Sequence, residues 1–316
     1  MCWTASCACW WPPASAEPGS LTTSELTVTG FDPPAHEVRA AVERALAEDV
    51  GPDGDLTSSL LPPADVTAAI VARVAGRLAG RACAMEVFRQ VDPAVKVQWE
   101  VADGDPVSPG QRLAVVAGPR ASVFTAERTA LNFLSHLSGI ATEVARYTAA
   151  AAAAGRARVR DTRKTTPGLR MLEKAAVRAG GGDNHRAGLS EWVMLKDNHL
   201  AAITIAEGVA GARQRWPGRA VYVECDRIDQ VEEALAAGAD ALLLDNMAPE
   251  EVRACVERAG GHGCLLEVSG GVTLDSVAEY AATGVDFISV GRLTNSAPAL
   301  DIALDVVNVP ISPEEE

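Results

Sequence analysis

The spacing of apolar residues changes twice along this chain. Over 37–49 they recur at Val38, Ala41, Val42, Ala45 and Leu46, which predicts a helix with one buried stripe. Gly51-Pro52 ends it. Residues 68–78 read as a strand broken at Gly76, and 95–101 alternate as a half-buried strand does. Asp103-Gly104 and Pro109-Gly110 form turns on either side of Val107. Over 123–154 helical spacing returns, with Ala130, Leu134, Leu137, Ala141 and Val144 on one stripe, and Gly139 is expected to interrupt it. After Gly155, short apolar runs at 157–159, 192–195, 220–223, 241–244, 264–268 and 287–290 alternate with helix-compatible stretches. That alternation predicts repeated βα units around a parallel sheet.

Each run ends in residues with chemistry. In order these are Arg163-Lys164, Lys196-Asp197-Asn198, Glu224, Asp245-Asn246, Ser269-Gly270-Gly271 and Ser289-Val290-Gly291. In a βα barrel the carboxyl ends of the strands converge on one face, where catalytic side chains sit. Cations, acids and glycine turns would then share one mouth. Glycine turns after late strands are where barrels often bind phosphate on backbone N–H groups. Glu224 and Asp245 suit Mg²⁺, which takes carboxylates, water and substrate phosphate. A capping or ion-paired role for the two acids is the alternative.

Charge sharpens this picture. The formal net charge is −14, which argues against a nucleic-acid binder with a broad basic face. Yet 156–199 holds ten Lys and Arg (Arg156, Arg158, Arg160, Arg163, Lys164, Arg170, Lys174, Arg178, Arg186 and Lys196) against five Asp and Glu, with His185 and His199 among them. Arg170, Glu173, Lys174 and Arg178 have the spacing of a solvated helix face of ion pairs. Arg163, Lys164, Arg186 and Lys196 do not, because they flank Gly, Pro and Asn, and they point to a pocket for a small polyanion. From chemistry alone, Glu127-Arg128 reads as an idle surface pair. The seven cysteines form no CxxC pair, so reduced thiols in a cytoplasmic protein are expected. No apolar run approaches the roughly 20 residues of a membrane span. Residues 1–30, with three Cys and three Trp among the first eleven and no amphipathic period, read as a disordered extension.

The segments DTRKTTPGLR, EKAAVRAGGGDNHRAGL and VMLKDNHL, with ERTALNFLSHLSGIAT, EDVGPDGDLTS, VECD, LLLDN, EVSGG and ISVG, resemble the quinolinate phosphoribosyltransferase family from about Pro34 to Asp305. The resemblance implies phosphoribosyl transfer from phosphoribosyl pyrophosphate to quinolinate with decarboxylation, in a homodimer with Mg²⁺. It implies an α/β fold: a β-rich α+β sandwich domain over 31–140, an incomplete TIM-like βα barrel over 141–294, and a C-terminal segment over 295–316 packing back on the first domain and ending in a disordered acidic tail. It places Arg163, His185, Arg186 and Lys196 at the quinolinate dicarboxylate, with Arg128 reaching in from the partner subunit. It places Lys164 between the quinolinate and pyrophosphate ends as a catalytic residue. Glu224 and Asp245 stand near ribose and Mg²⁺, and Ser269, Gly270, Gly271, Ser289 and Gly291 at the 5′-phosphate. Ala175, Arg292 and Asn295 depart from the usual pattern. A paralogue linked to molybdenum transport shares the fold, and the intact RKTTPG, NHR and LKDNH segments favour the biosynthetic enzyme. A Schiff-base aldolase using Lys196 and a non-catalytic nucleotide-binding regulator are the readings from other classes.

Overall fold

The computed structural model describes residues 32–307. The first thirty residues and the acidic end, on which two of the expectations above fall, lie outside the described residues.

The first half is a curved antiparallel sheet backed by helices. Helix α1 (Ala35–Asp49) is followed by β1 (Asp65–Ala72), β2 (Gly76–Arg77), α2 (Arg81–Val91), β3 (Lys96–Trp99), β4 (Pro106–Val107) and β5 (Arg112–Pro119). The expected strand over 68–78 is in fact two strands. The first, β1, ends at Ala72 and pairs with β5, whereas β2 pairs with β4. Gly76 marks the change because a Cβ there would meet Leu300 Cδ1 at 2.5 Å and Thr142 Oγ1 at 2.7 Å. Buried Ile70, Leu78, Val87, Phe88, Leu113 and Val116 make the core between this sheet and the helices.

Helix α3 (Arg120–Ala154) then runs for 35 residues without a break. The expected interruption at Gly139 does not occur. A Cβ at Gly139 would lie 2.1 Å from the carbonyl oxygen of Pro298, so glycine is there to let a later segment cross the helix, not to end it. Beyond that crossing, Leu300 N–H donates to the Ser135 carbonyl at 2.9 Å.

The second half is built of βα units. They comprise β6 (Arg158–Arg160), α4 (Arg170–Ala179), β7 (Val193–Leu195), α5 (Asp197–Leu200), α6 (Ile205–Arg215), β8 (Val221–Cys225), α7 (Ile228–Ala236), β9 (Ala241–Asp245), α8 (Pro249–Ala259), β10 (Leu265–Ser269), α9 (Val277–Ala281), β11 (Phe287–Ser289) and α10 (Arg292–Asn295). A last strand, β12 (Ile302–Val306), leaves this half and joins the first sheet at its edge, in the order β12-β1-β5-β3. All six βα strands coincide with the runs read from sequence, five within one residue at each end and β8 extending two residues further.

The parallel strands follow the order β6-β11-β10-β9-β8-β7, so the barrel is open between β6 and β7. A polar segment partly fills the opening. Asp183 bridges to Arg160 in parallel fashion, with Asp183 N–H donating to Val159 O at 2.8 Å and Asp161 N–H to Asp183 O at 3.1 Å. Its glycine-rich, polar sequence hides this strand-like piece from any apolar period.

The strand period of two divides each strand between two environments. Val221, Val223, Leu242, Leu244, Leu266, Val268 and Ile288 point outward into one large apolar core with the helices. Met194, Tyr222, Ala241 and Leu243 point inward and form a separate small cluster. In register with them lie the inward charges: Leu243 pairs with Glu267, Asp245 with Ser269, and Ser289 with Arg160.

Candidate active site at the open barrel

The floor of the site is ionic. Arg160 Nη1 donates to Glu267 Oε2 at 3.0 Å and lies 3.5 Å from Tyr222 Oη. Glu267 is fully buried and also accepts from the Ser289 hydroxyl. The Arg160 guanidinium stacks on the Phe287 ring, 3.2 Å from its centroid. His185 stands above this floor, with its Nε2 3.7 Å from Glu267 Oε1 and its ring edge against Trp192 and Tyr222. Burial, followed by the charges of Arg160, Lys174, Arg186 and Lys196, pushes the His185 pKa down to about 3. A neutral imidazole donates one hydrogen bond without adding a net charge.

Arg186 is buried beside it. Its Nη1 donates to the Trp192 carbonyl at 3.1 Å across the barrel opening, and burial and the nearby Arg163 charge lower its pKa. Two buried guanidinium nitrogens, Arg160 Nε and Arg186 Nε, have no acceptor among the described residues. Unsatisfied buried donors are costly, and a bound anion would satisfy them.

The mouth carries the rest. Lys196, after β7, forms an ion pair with Glu224 at the end of β8. The turn that carries Lys196 is fixed by His199, whose Nδ1 accepts the Lys196 backbone N–H at 3.0 Å. Asp245 ends β9 and accepts from the Asn246 side chain at 2.6 Å. Asn246 is the sole non-glycine residue with positive φ (57°) among the described residues. Gly270, at φ 88°, packs on Asn246, where a Cβ would come within 2.2 Å of Oδ1. Lys164 is exposed and lies over Gly291, where a Cβ would meet Lys164 Cδ at 2.9 Å. The N–H groups of Gly270, Gly271 and Gly291 have no acceptor among the described residues.

The structure thus brings Lys196 to Glu224, Lys164 to Gly291, Asp245 into register with Ser269, and His185 next to Arg186. Arg163 is exposed and its side chain makes no hydrogen bond among the described residues. Arg128 likewise stands exposed on α3 with no hydrogen bond or ion pair among them. Ser289 differs from the other turn residues. Its hydroxyl serves Glu267 inside the barrel, so only backbone is left to face a phosphate there.

Family models described as the C-terminal and N-terminal domains of quinolinate phosphoribosyl transferase match residues 140–305 and 55–138. The chain belongs to the quinolinate phosphoribosyltransferase family. A Bacillus subtilis protein named probable nicotinate-nucleotide pyrophosphorylase (carboxylating) is 42% identical over 273 residues, covering 85% of this chain and 93% of that one. A Mycobacterium leprae protein with the same activity in its name is 40% identical over 275 residues, covering 85% and 96%. The solved structure of the nicotinate-nucleotide pyrophosphorylase from Francisella tularensis superposes with a TM-score of 0.85 at 37% identity, covering 89% of this chain and all of that one.

For a quinolinate phosphoribosyltransferase the informative surprises are residues that sequence reasoning passed over. Arg170, Glu173 and Lys174 are not a solvated helix face. Glu173 is 0% and Lys174 1% exposed, and all three turn into the site's supporting structure. Glu267 was hidden inside an apolar strand, and Arg160 ends the short strand β6. The signal that finds them is the strand period, since Glu267 is two residues from Ser269 and Arg160 is level with Ser289.

Proposed function

We propose that this protein transfers the phosphoribosyl group of phosphoribosyl pyrophosphate to the ring nitrogen of quinolinate, releasing pyrophosphate and CO2 and forming nicotinate mononucleotide for NAD biosynthesis. The observation that carries this reading is the Lys196–Glu224 contact, which joins a cation-rich pocket to an acidic strand end at one mouth.

Quinolinate bears two adjacent carboxylates on a flat ring. Arg163, Arg186 and Lys196 supply opposite charge, His185 a neutral donor, and the free Arg186 Nε a hydrogen bond that water or substrate must meet. Arg suits planar carboxylates in paired geometry. Attack by the ring nitrogen on the anomeric carbon breaks the bond to pyrophosphate and leaves positive charge on the ribose, which the Glu224 and Asp245 carboxylates stabilise. Lys164, beside the Gly291 turn, interacts with the departing pyrophosphate. The backbone donors of Gly270, Gly271 and Gly291, with the Ser269 turn, suit the 5′-phosphate. Once the nitrogen is ribosylated and cationic, CO2 leaves from the neighbouring carbon, the bonding pair is held next to that cation, and a proton then replaces CO2.

Among the described residues no group of three or more His, Cys, Asp or Glu is close enough to hold a metal unaided. Two carboxylates at adjoining strand ends do fit Mg²⁺ that arrives with its substrate, since Mg²⁺ keeps water and phosphate ligands. When bound it would neutralise the leaving pyrophosphate. We read Arg128 as completing the neighbour's pocket in a homodimer, because an exposed cation with no partner of its own is free to do so. A reducing, cytoplasmic setting fits the free thiols of the described cysteines, Cys83, Cys225, Cys255 and Cys264. Among the described residues no helix is long and apolar enough to cross a membrane.

Schiff-base chemistry at Lys196 needs its amine nitrogen free to attack a carbonyl, whereas that nitrogen is engaged by Glu224. A regulator that binds without turnover is separated by assay. Quinolinate labelled in its 2-carboxylate should release CO2 in proportion to pyrophosphate, and only with both phosphoribosyl pyrophosphate and Mg²⁺ present. Binding without CO2 release would reject the enzyme reading.

A further inference from the structure

The two arginines proposed for the dicarboxylate pocket within the barrel, Arg163 and Arg186, sit on separate segments, 163–166 after β6 and 184–187 before β7. Helix α4 lies between them in sequence and holds both. Lys174 Nζ donates to Asp161 Oδ1 at 2.6 Å and to the His185 carbonyl at 2.7 Å. Asp161 in turn accepts the His185 N–H and the Asn184 side-chain amide, each at 2.7 Å. The peptide groups on both sides of His185 are therefore fixed by one buried ion pair. Arg170 reaches both segments at once. Its Nε donates to Thr165 Oγ1 at 2.9 Å, its Nη1 to the Ala187 carbonyl at 2.8 Å, and its Nη2 to the Arg163 carbonyl at 3.4 Å. Glu173 accepts the Thr166 N–H at 3.1 Å and pairs with His136 of α3 at 2.8 Å, which ties the helix to the long α3.

We infer that α4 sets the spacing and orientation of the dicarboxylate-binding cations, and that Arg170 and Lys174 are positioning residues for quinolinate. The inference rests on the function proposed above. Energetics supports it. Burial raises the Asp161 pKa to about 6 and lowers that of Lys174, so the pair resists being charged where it sits. A buried ion pair of this kind contributes little to stability over an apolar one, so its hydrogen bonds to the His185 peptide groups point to a role in geometry. The planar fork of Arg170 spans three acceptors in a way that Lys cannot reproduce.

The test uses full-length protein carrying Arg170→Ala, Arg170→Lys, or Lys174→Met with Asp161→Asn, the last removing both charges together. Steady-state kinetics gives KM for each substrate, and calorimetry gives the affinity for quinolinate and for pyridine-3-carboxylate, which has one carboxylate fewer. Arg170→Ala should raise the quinolinate KM about tenfold or more, with the KM for phosphoribosyl pyrophosphate moving less than about twofold. The preference for the dicarboxylate should shrink with it, and Arg170→Lys should fall in between. Equal shifts in both KM values, or no shift in folded variants, would overturn the inference. If Arg170→Ala does not fold, the same ratios in Arg170→Lys decide. Wild-type protein that binds no quinolinate would instead defeat the proposed function itself.

Discussion

The inner and outer faces of the barrel strands come from the same short segments, yet they are made of different chemistry. On β8, Val221, Val223 and Cys225 are fully buried among helices, while Tyr222 and Glu224 turn inward. On β10, Leu266 and Val268 join the outer core, while Glu267 and Ser269 face the site. The outer face behaves as a protein interior should, and each large apolar side chain buried there stabilises by about 1.5–3 kcal/mol. The inner face is usually a packed apolar plug in barrels of this kind. Here an ionic floor stands beside a small apolar cluster, under an open edge. The contrast teaches that the fold is held from outside the barrel, which leaves the inside free to carry charges whose burial gains little stability.

The sharpest way to break the comparison is at Glu267. Replacing it with Leu strands the Arg160 charge, and urea unfolding should show a loss of about 3–5 kcal/mol. Adding Arg160→Met should return much of that stability without returning quinolinate binding. A single variant as stable as wild type would mean the floor is not ionic in solution. On the outer face, Leu244→Ala should cost about 2–5 kcal/mol by leaving a cavity. Its folded fraction should keep the wild-type KM for quinolinate, and a raised KM would erase the distinction between faces.

Arg128 sharpens the comparison, because it is the one residue proposed for the dicarboxylate that lies outside the barrel, on α3. Arg128→Ala and Lys196→Ala should each be inactive alone. Co-expressed, they should recover about a quarter of wild-type activity, since about half of randomly mixed dimers are heterodimers with one intact site. No recovery, with mixed dimers verified by mass spectrometry, would assign Arg128 to its own subunit.

The smallest effect concerns pH. His185 titrates at about 3 when folded against an ordinary 6.5, so the unfolded chain takes up a proton that the folded chain refuses. Its contribution is present above pH 6.5 and is lost as pH falls toward 3. Asp161 has the opposite sign: raised to about 6 from 3.8, it favours the fold at acid pH and loses that contribution as pH rises through 6. Melting temperature should therefore drop less between pH 7 and pH 5 in His185→Gln than in wild type. An equal or larger drop would mean His185 is not held neutral.

Much of the second half was legible because its strands are short apolar runs, and the residues just after them mark the mouth of a parallel barrel. The floor was less legible, since Glu267 is a single charge inside an apolar run and Arg160 follows one directly, and both gain meaning only when the inward face is known. Helix α4 misled for a related reason. Arg170, Glu173 and Lys174 have the spacing of a surface ion-pair ladder, and the sequence does not reveal that the barrel opening turns that face inward. Gly139 misled because a glycine that ends a helix and one that admits a crossing chain look the same until Pro298 is seen against it.

The central claim is a division of labour at the mouth, with the cations holding quinolinate and the acids serving the phosphoribosyl end. Asp245→Asn tests it most directly, with turnover and quinolinate affinity measured on the same preparation. Turnover should fall on the order of a hundredfold, because one electrostatic contact to the developing ribose cation is lost, while the calorimetric Kd for quinolinate stays within about twofold of wild type. Undiminished turnover together with weakened quinolinate binding would contradict the account.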